Sequence, residues 1–323
     1  PRTVTVVAGQ TASAAFAVTC SSLSGSIRVG AVTSGEDLDS DGYEVVIDGG
    51  VPSSIGINGS MTAGGLAPGD YSVELRGKAF NCDVSGNNPR TVTVTAGAET
   101  PVTFDATCRY HLYDRIAFQS DRTGSWQIYA VDPYILPSER TLGLSGSHPA
   151  VSPDGLRIAY SHENDIWIAR SDGSDATRVT NTPENEFYPA WSPDGNWIAF
   201  ERDGDIWTMR DDGSSEDLIW VFGTQPTWSP DGSRIAFTDA GDVSIMNADG
   251  SGLTGLTGNP TANQRPAWSP LGNYIGFASA RDGNLHVFVK DPGGGTAVNM
   301  TMALISQATD PTWAPLAEAG AFS

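Results

Sequence analysis

A phrase of about 40 residues, rewritten several times after residue 109, limits what this chain can fold into more than any other feature. "PAWSPDGNWIAF" at 189–200 is its clearest copy. Trp191, Trp228 and Trp268 each open a W-S-P-x-G turn, Val151 replaces the tryptophan in "VSPDG", and Trp313 opens the degraded "WAPLA". Starts at 151, 191, 228, 268 and 313 give spacings of 40, 37, 40 and 45 residues. Seven residues after each of the first four starts comes a short apolar strand, at Ile158, Ile198, Ile235 and Ile275. A fifth copy, "IAF" at Ile116, has no turn of its own in front.

Each unit then continues with an alternating strand ("DIWIAR", "DIWTMR", "DVSIMN", "LHVFVK"), a turn such as "DDGSS", and a short fourth strand. Four short antiparallel strands per repeat is the pattern of a propeller blade, and no segment carries a helical period. Pro193 restricts φ and Asp194-Gly195 supplies the reversal, so the motif turns the chain between two strands. Trp191 offers a broad flat face that one blade buries against its neighbour. Trp191, Trp228, Trp268 and Trp313 are therefore read as blade-packing residues.

The run "PAWSPDGNWIAFERDGDIWTMRDDGSSEDL" and its copies resemble the repeats of TolB-like β-propellers, also seen in the propeller domains of prolyl-oligopeptidase-type peptidases. The resemblance implies a periplasmic or extracellular location and protein binding, with no chemistry. That family pattern has six blades, whereas the strands counted here make five. The economical solution closes the ring with the strand near Trp313 completing the blade begun at Ile116, six blades being the alternative.

Residues 21–108 read as a separate all-β module, a sandwich of about seven strands. "LAPGDYSVELRG" at 66–77 sets Tyr71, Val73 and Leu75 on one face, and Val92 and Val94 alternate with Thr91, Thr93 and Thr95. Its L-x-P-G-x-Y-x-V-x-L strand resembles the immunoglobulin-like and PEGA-type modules of bacterial surface proteins. The expected architecture is thus an orphan hairpin at 1–20, a sandwich at 21–108 and a five-bladed propeller at 109–323.

The hairpin assignment comes from a second repeat: "PRTVTVVAGQTASAAFAVTC" at 1–20 aligns without a gap to 89–108. The chain opens on Pro1 without a leader, as a processed or partial chain does. The three cysteines are Cys20, Cys82 and Cys108. Cys82 and Cys108 are expected to pair within the sandwich. Cys20 then wants a partner upstream or in another chain, and an oxidising compartment is implied.

With 38 acidic against 18 basic residues and a formal charge of −20, the chain repels nucleic acid and anionic membranes. No run is long and apolar enough for a membrane span. No G-x-S-x-G elbow occurs, and His111, His148, His162 and His286 show no spacing that suggests a shared site. The acidic pairs Glu163/Asp165 and Asp203/Asp205 read as solvated turns. "DLDSDGYEVVID" places Asp37, Asp39, Asp41 and Asp48 at spacings that mimic a calcium loop, the one candidate metal site, with an acidic inter-strand turn as the plainer reading. Asn58 and Asn299 head N-glycosylation sequons.

The leading expectation is a non-catalytic extracellular or cell-surface bacterial protein that adds its N-terminal strands to another copy of itself and grows as a head-to-tail filament, the competing reading of residues 1–20 being the end of a longer tandem array in the same polypeptide. "GAF" at Gly320–Phe322, matching the start of another blade, reads either as a second assembly surface at the opposite end or as a frayed tail. The alternatives are a TolB-like scaffold that binds another surface or periplasmic protein, and a glycan-acting or peptidase-related enzyme with carboxylates in the propeller channel.

Overall fold

The computed structural model describes residues 7–9, 23–112, 115–132, 138–258 and 262–301. All regular structure among them is β, with no helix. The expected hairpin at 1–20, Cys20, the closing strand around Trp313 and the Gly320–Phe322 tail lie outside the described residues. Two compact units divide between Arg109 and Tyr110.

The first unit has eight strands: β1 (Gly25–Gly35), β2 (Tyr43–Ile47), β3 (Ser53–Ile55), β4 (Ser60–Leu66), β5 (Gly69–Arg76), β6 (Cys82–Val84), β7 (Arg90–Val94) and β8 (Glu99–Cys108). They form two four-stranded sheets, ordered β4-β1-β8-β6 and β3-β2-β5-β7. The eighth strand beyond the expected seven reflects β3 and β6, three residues each and too short for alternation to show. Period-two alternation sends Ile27, Val29 and Ala31 of β1, Val73 and Leu75 of β5, Val92 and Val94 of β7 and Phe104 of β8 into one core. Thr91, Thr93 and Thr95 face water. A disulfide joins Cys82 to its cross-strand partner Cys108.

The second unit opens with a three-stranded sheet, β9 (Ile116–Ser120), β10 (Gln127–Val131) and β11 (Arg140–Ser145). Four four-stranded sheets follow. They are β12–β15 (Ser147–Val151, Arg157–His162, Asp165–Arg170, Thr177–Arg178), β16–β19 (Glu186–Trp191, Trp197–Arg202, Asp205–Arg210, Asp217–Trp220), β20–β23 (Gly223–Trp228, Arg234–Asp239, Asp242–Asn247, Thr254–Gly255) and β24–β27 (Gln264–Trp268, Ile275–Ser279, His286–Asp291, Gly294–Asn299). The first strands β12, β16, β20 and β24 pack on one another in succession, which puts them innermost, as blades arranged about an axis require.

Neither face of a blade stays dry alone, so the core is divided among the seams. Ala159, Ile166 and Ile168 of the second blade cluster with Trp191, Ile198 and Phe200 of the third. Ala199 and Ile206 of the third cluster with Ile235 and Phe237 of the fourth, and Ala236 and Val243 of the fourth with Trp268 and Phe277 of the fifth. The indole N–H of Trp191 donates to the Ala150 carbonyl at 3.1 Å, and that of Trp228 to Ala190 at 3.1 Å, so each tryptophan bonds back to the preceding blade.

The W-S-P-x-G turn closes on its serine. Buried Ser152, Ser192, Ser229 and Ser269 each accept the N–H five residues on, at 2.9, 3.0, 2.9 and 3.0 Å. Gly195 and Gly232 hold φ of +71° and +70°, a region where a side chain is strained. In the fourth blade the Ser229 hydroxyl and the Ser233 N–H pull the Asp231 carboxyl down to about 2.

Candidate functional site

Each innermost strand contains a proline preceded by a residue that differs from blade to blade: His148, Tyr188, Gln225 and Arg265. All four are left-handed, with φ of 50°, 53°, 57° and 56°. Each lies within a bulge, since register slips between Ser147 and Ala150, Phe187 and Ala190, Thr224 and Thr227, and Gln264 and Ala267. A non-glycine residue held left-handed costs on the order of 1–3 kcal/mol, and bulges re-aim side chains near functional sites. Four such residues at one register on strands that line the axis mark the candidate site.

The bulges are tied down by polar side chains of the preceding blade. His148 N–H donates to the Gln119 amide oxygen and Arg265 N–H to that of Gln225, the latter at 2.9 Å. Gln225 Oε1 also accepts the Thr238 hydroxyl at 3.1 Å, and Gln225 N–H donates to Glu201. Gln119, Glu201 and Thr238 occupy one repeat position, three residues after Ile116, Ile198 and Ile235 of the first, third and fourth blades; the second blade has Ser161 there.

Burial gives these groups unusual protonation. The His148 ring lies 4.0 Å from the Tyr188 ring, tilted at 45° to it, and meets Phe187 edge-on at 5.8 Å. Burial first, and the Arg265 charge second, push the imidazole down to about 4, leaving it neutral at ordinary pH. Burial pushes the Glu201 carboxyl up, opposed by the Gln225 N–H. Its Oε2 finds no hydrogen-bond partner among the described residues. The influence of Arg265 on His148 brings the second and fifth blades to bear on one another across the axis.

Ser147 Oγ lies 3.1 Å from His148 Nδ1, a serine–imidazole contact. An imidazole depressed this far is a weak general base near neutrality, where efficient bases titrate close to the working pH. The contact therefore reads as holding the ring. With a neutral imidazole, a phenol, an amide, a carboxyl and a guanidinium, the belt is equipped to recognise a polar partner.

The residues singled out in the sequence lie elsewhere. Asp39 is buried and accepts the Ala79 N–H at 2.6 Å; burial and the neighbouring Asp41 carboxyl push it up, while the hydrogen bond between the two holds Asp41 down. Asp48 accepts the Ser72 N–H at 2.7 Å. Asp37 contributes its carbonyl to Asn81 at 2.9 Å. No group of three or more acidic, histidine or cysteine side chains among the described residues is placed to hold a metal ion, and the carboxylates of Asp39 and Asp48 each hold a backbone N–H of a neighbouring segment. Asn58 is exposed, and its side chain accepts the Thr33 N–H at 2.8 Å. The Asn299 amide donates to Asp282 at 2.8 Å and meets His286 at 3.0 Å, so a glycan there would displace both contacts.

Two readings need correction. Asp165 is not a solvated turn residue: it is buried, pairs with Arg178 at 2.6 Å and accepts the Thr182 N–H at 3.4 Å. It tethers the crossover to the next blade, as Asp205 does through the Phe222 N–H at 2.8 Å. His148, set aside as an isolated histidine, stands in the axial belt. The available signal was the X-Pro step recurring three residues before the W-S-P-x-G serine.

No helix among the described residues is long and apolar enough to cross a membrane. No family model and no curated protein matches the sequence. Solved structures do. TolB from Acinetobacter baumannii is similar at 20% identity over 76% of this chain and 63% of that one, with a TM-score of 0.54. A putative TolB from Agrobacterium tumefaciens is 23% identical over 54% and 73%, at 0.49. A chain of a nidogen/laminin complex is 12% identical over 62% and 80%, at 0.50. The chain thus has a TolB-like β-propeller fold, and it spans under two thirds of the length of the Acinetobacter protein.

Proposed function

We propose that this chain is a protein-binding propeller scaffold of the bacterial envelope, which receives a segment of its partner at the axial belt. The observation that carries the reading is the row of four strained bulges, His148, Tyr188, Gln225 and Arg265, at one register of the innermost strands. Strain repeated in four blades persists only where the surroundings over-determine it, and it presents four different side chains to one space. The TolB-like fold supports a scaffold over a self-assembling filament, and the depressed His148 favours recognition over catalysis. In this reading the propeller has five blades, of which the first shows three strands, β11-β10-β9, among the described residues. The first unit serves as a PEGA-type surface module.

A photo-crosslinking residue at position 188, introduced into the full chain in bacterial cells, tests the proposal. A discrete protein adduct, lost on Arg265→Glu, is expected, with purified chain scattering light as a monomer. Large open assemblies, or adducts indifferent to Arg265→Glu, would overturn it.

A further inference from the structure

The seams between blades are not alike. At the seam of the second and third blades, the Arg157 guanidinium lies 4.6 Å over the Trp191 ring, donates to Asp211 at 2.7 Å and reaches the Gly195 carbonyl at 3.4 Å. At the seam of the fourth and fifth, Arg234 lies 4.8 Å over Trp268. Both arginines hold the same repeat position, directly before the second-strand isoleucine. At the seam between, that position is Trp197, and the counterpart of Asp211 is Ala248.

The consequence is an open groove of about 760 Å³. Trp197 and Trp228 line it together with Asp194, Glu216, Asp217 and Asp231. Trp228 is only half-buried, whereas Trp191 and Trp268, each covered by an arginine, are 8% and 7% exposed. Gly232, the counterpart of Gly195, also faces the groove. The molecule thus shows twice what covers this indole, and in the third instance supplies no guanidinium of its own at that position.

We propose that the groove between the third and fourth blades is a docking site for an arginine side chain carried on a basic segment of a partner protein. The guanidinium takes the place over Trp228 that Arg157 takes over Trp191, with the Gly232 carbonyl and surrounding carboxylates as acceptors. A planar, weakly hydrated cation suits an aromatic face flanked by carboxylates better than an ammonium does. The site is distinct from the axial belt, and neither proposal depends on the other.

Titration of the full chain with an acetylated, amidated triarginine peptide, followed calorimetrically at low salt, decides the matter. Binding with a Kd on the order of 0.1–1 mM is expected, as for a single stacked and paired side chain. A citrulline-substituted peptide should bind at least about tenfold more weakly, because it keeps the shape and loses the charge. Trp197→Arg combined with Ala248→Asp rebuilds the neighbouring seam inside this one and should weaken triarginine binding by about tenfold or more. Asp217→Asn should weaken it about threefold, while Glu99→Gln, an equal change of net charge in the first unit, should not. Absence of triarginine binding would overturn the proposal, as would equal binding of the citrulline peptide or undiminished binding by a folded double variant. If the double variant fails to fold, Asp217→Asn and Glu99→Gln decide, and equal effects from those two overturn it.

Discussion

His148→Gln should change the pH dependence of propeller stability without disturbing its backbone, since Gln225 already occupies the same bulge in the fourth blade with φ of 57°. The folded state holds the imidazole at about 4, against an ordinary value of 6.5. The unfolded chain therefore binds the proton first as pH falls. Stability from keeping the ring neutral is present above about pH 6.5 and is lost progressively down to about pH 4. At about 1.4 kcal/mol per unit the displacement corresponds to a ceiling of about 3.4 kcal/mol, and solvent screening of the half-buried ring lowers this to about 2–3 kcal/mol. Ser147, Gln119, Tyr188 and Phe187 bring no charge to the ring, while Arg265 disfavours the imidazolium. Glu201 acts with the opposite sign: its raised carboxyl contributes stability at low pH that is lost as pH rises, so the wild-type curve alone mixes the two. The difference between wild type and His148→Gln isolates the imidazole. All nine tryptophans lie between Trp126 and Trp313, so indole emission during urea denaturation reads the second unit alone. Between about pH 7 and about pH 4, wild type should lose about 2–3 kcal/mol more than the variant. Parallel curves would refute the buried, neutral imidazole.

Gly213 holds φ of +81°, and a Cβ there would sit 2.4 Å from the Val179 carbonyl oxygen of the preceding blade; Gly204, at +85°, has nothing within 4 Å. Gly213→Ala should cost about 2–4 kcal/mol and Gly204→Ala about 1, read by the same urea titration, and equal costs would contradict the backbone contact. Arg202 pairs with the fully buried Glu186 at 2.6 Å and with Glu216 at 2.6 Å. Arg202→Met should cost about 3–5 kcal/mol by leaving Glu186 uncompensated, and adding Glu186→Leu should recover much of the loss in thermal melts. Reducing Cys82–Cys108, which spans 26 residues of sequence, should destabilise the first unit by about 3–4 kcal/mol on the chain-entropy account, seen as an earlier circular dichroism transition in reductant.

What was legible in the sequence was whatever the chain decides locally. Ser192, Pro193, Asp194 and Gly195 make their turn from bonds spanning five residues, so the motif announces itself wherever it is written. Alternation in "YSVELR" likewise names the inward residues of β5, because a pleated strand sends every second side chain the same way. The axial belt was hidden for the opposite reason. His148, Tyr188, Gln225 and Arg265 have nothing in common as side chains, and the X-Pro step that recurs with them says nothing of burial or of a shared space. Only the packing of successive inner strands sets them around one space, and only burial there makes the imidazole neutral and raises the Glu201 carboxyl. Asp165 is similar: its sequence context is an acidic turn, but the returning crossover covers it and supplies Arg178 and the Thr182 N–H. Trp197 carries the same lesson at a seam. In the sequence it is one more tryptophan of a repeat; beside Arg157 on Trp191 and Arg234 on Trp268, it is the position where the guanidinium is replaced by an indole, itself covered by Arg210 at 4.9 Å, and a groove lies open beside Trp228. Local bonding determined the blades, and the contacts between blades, which no single repeat contains, decided the axial belt and the groove at the seam.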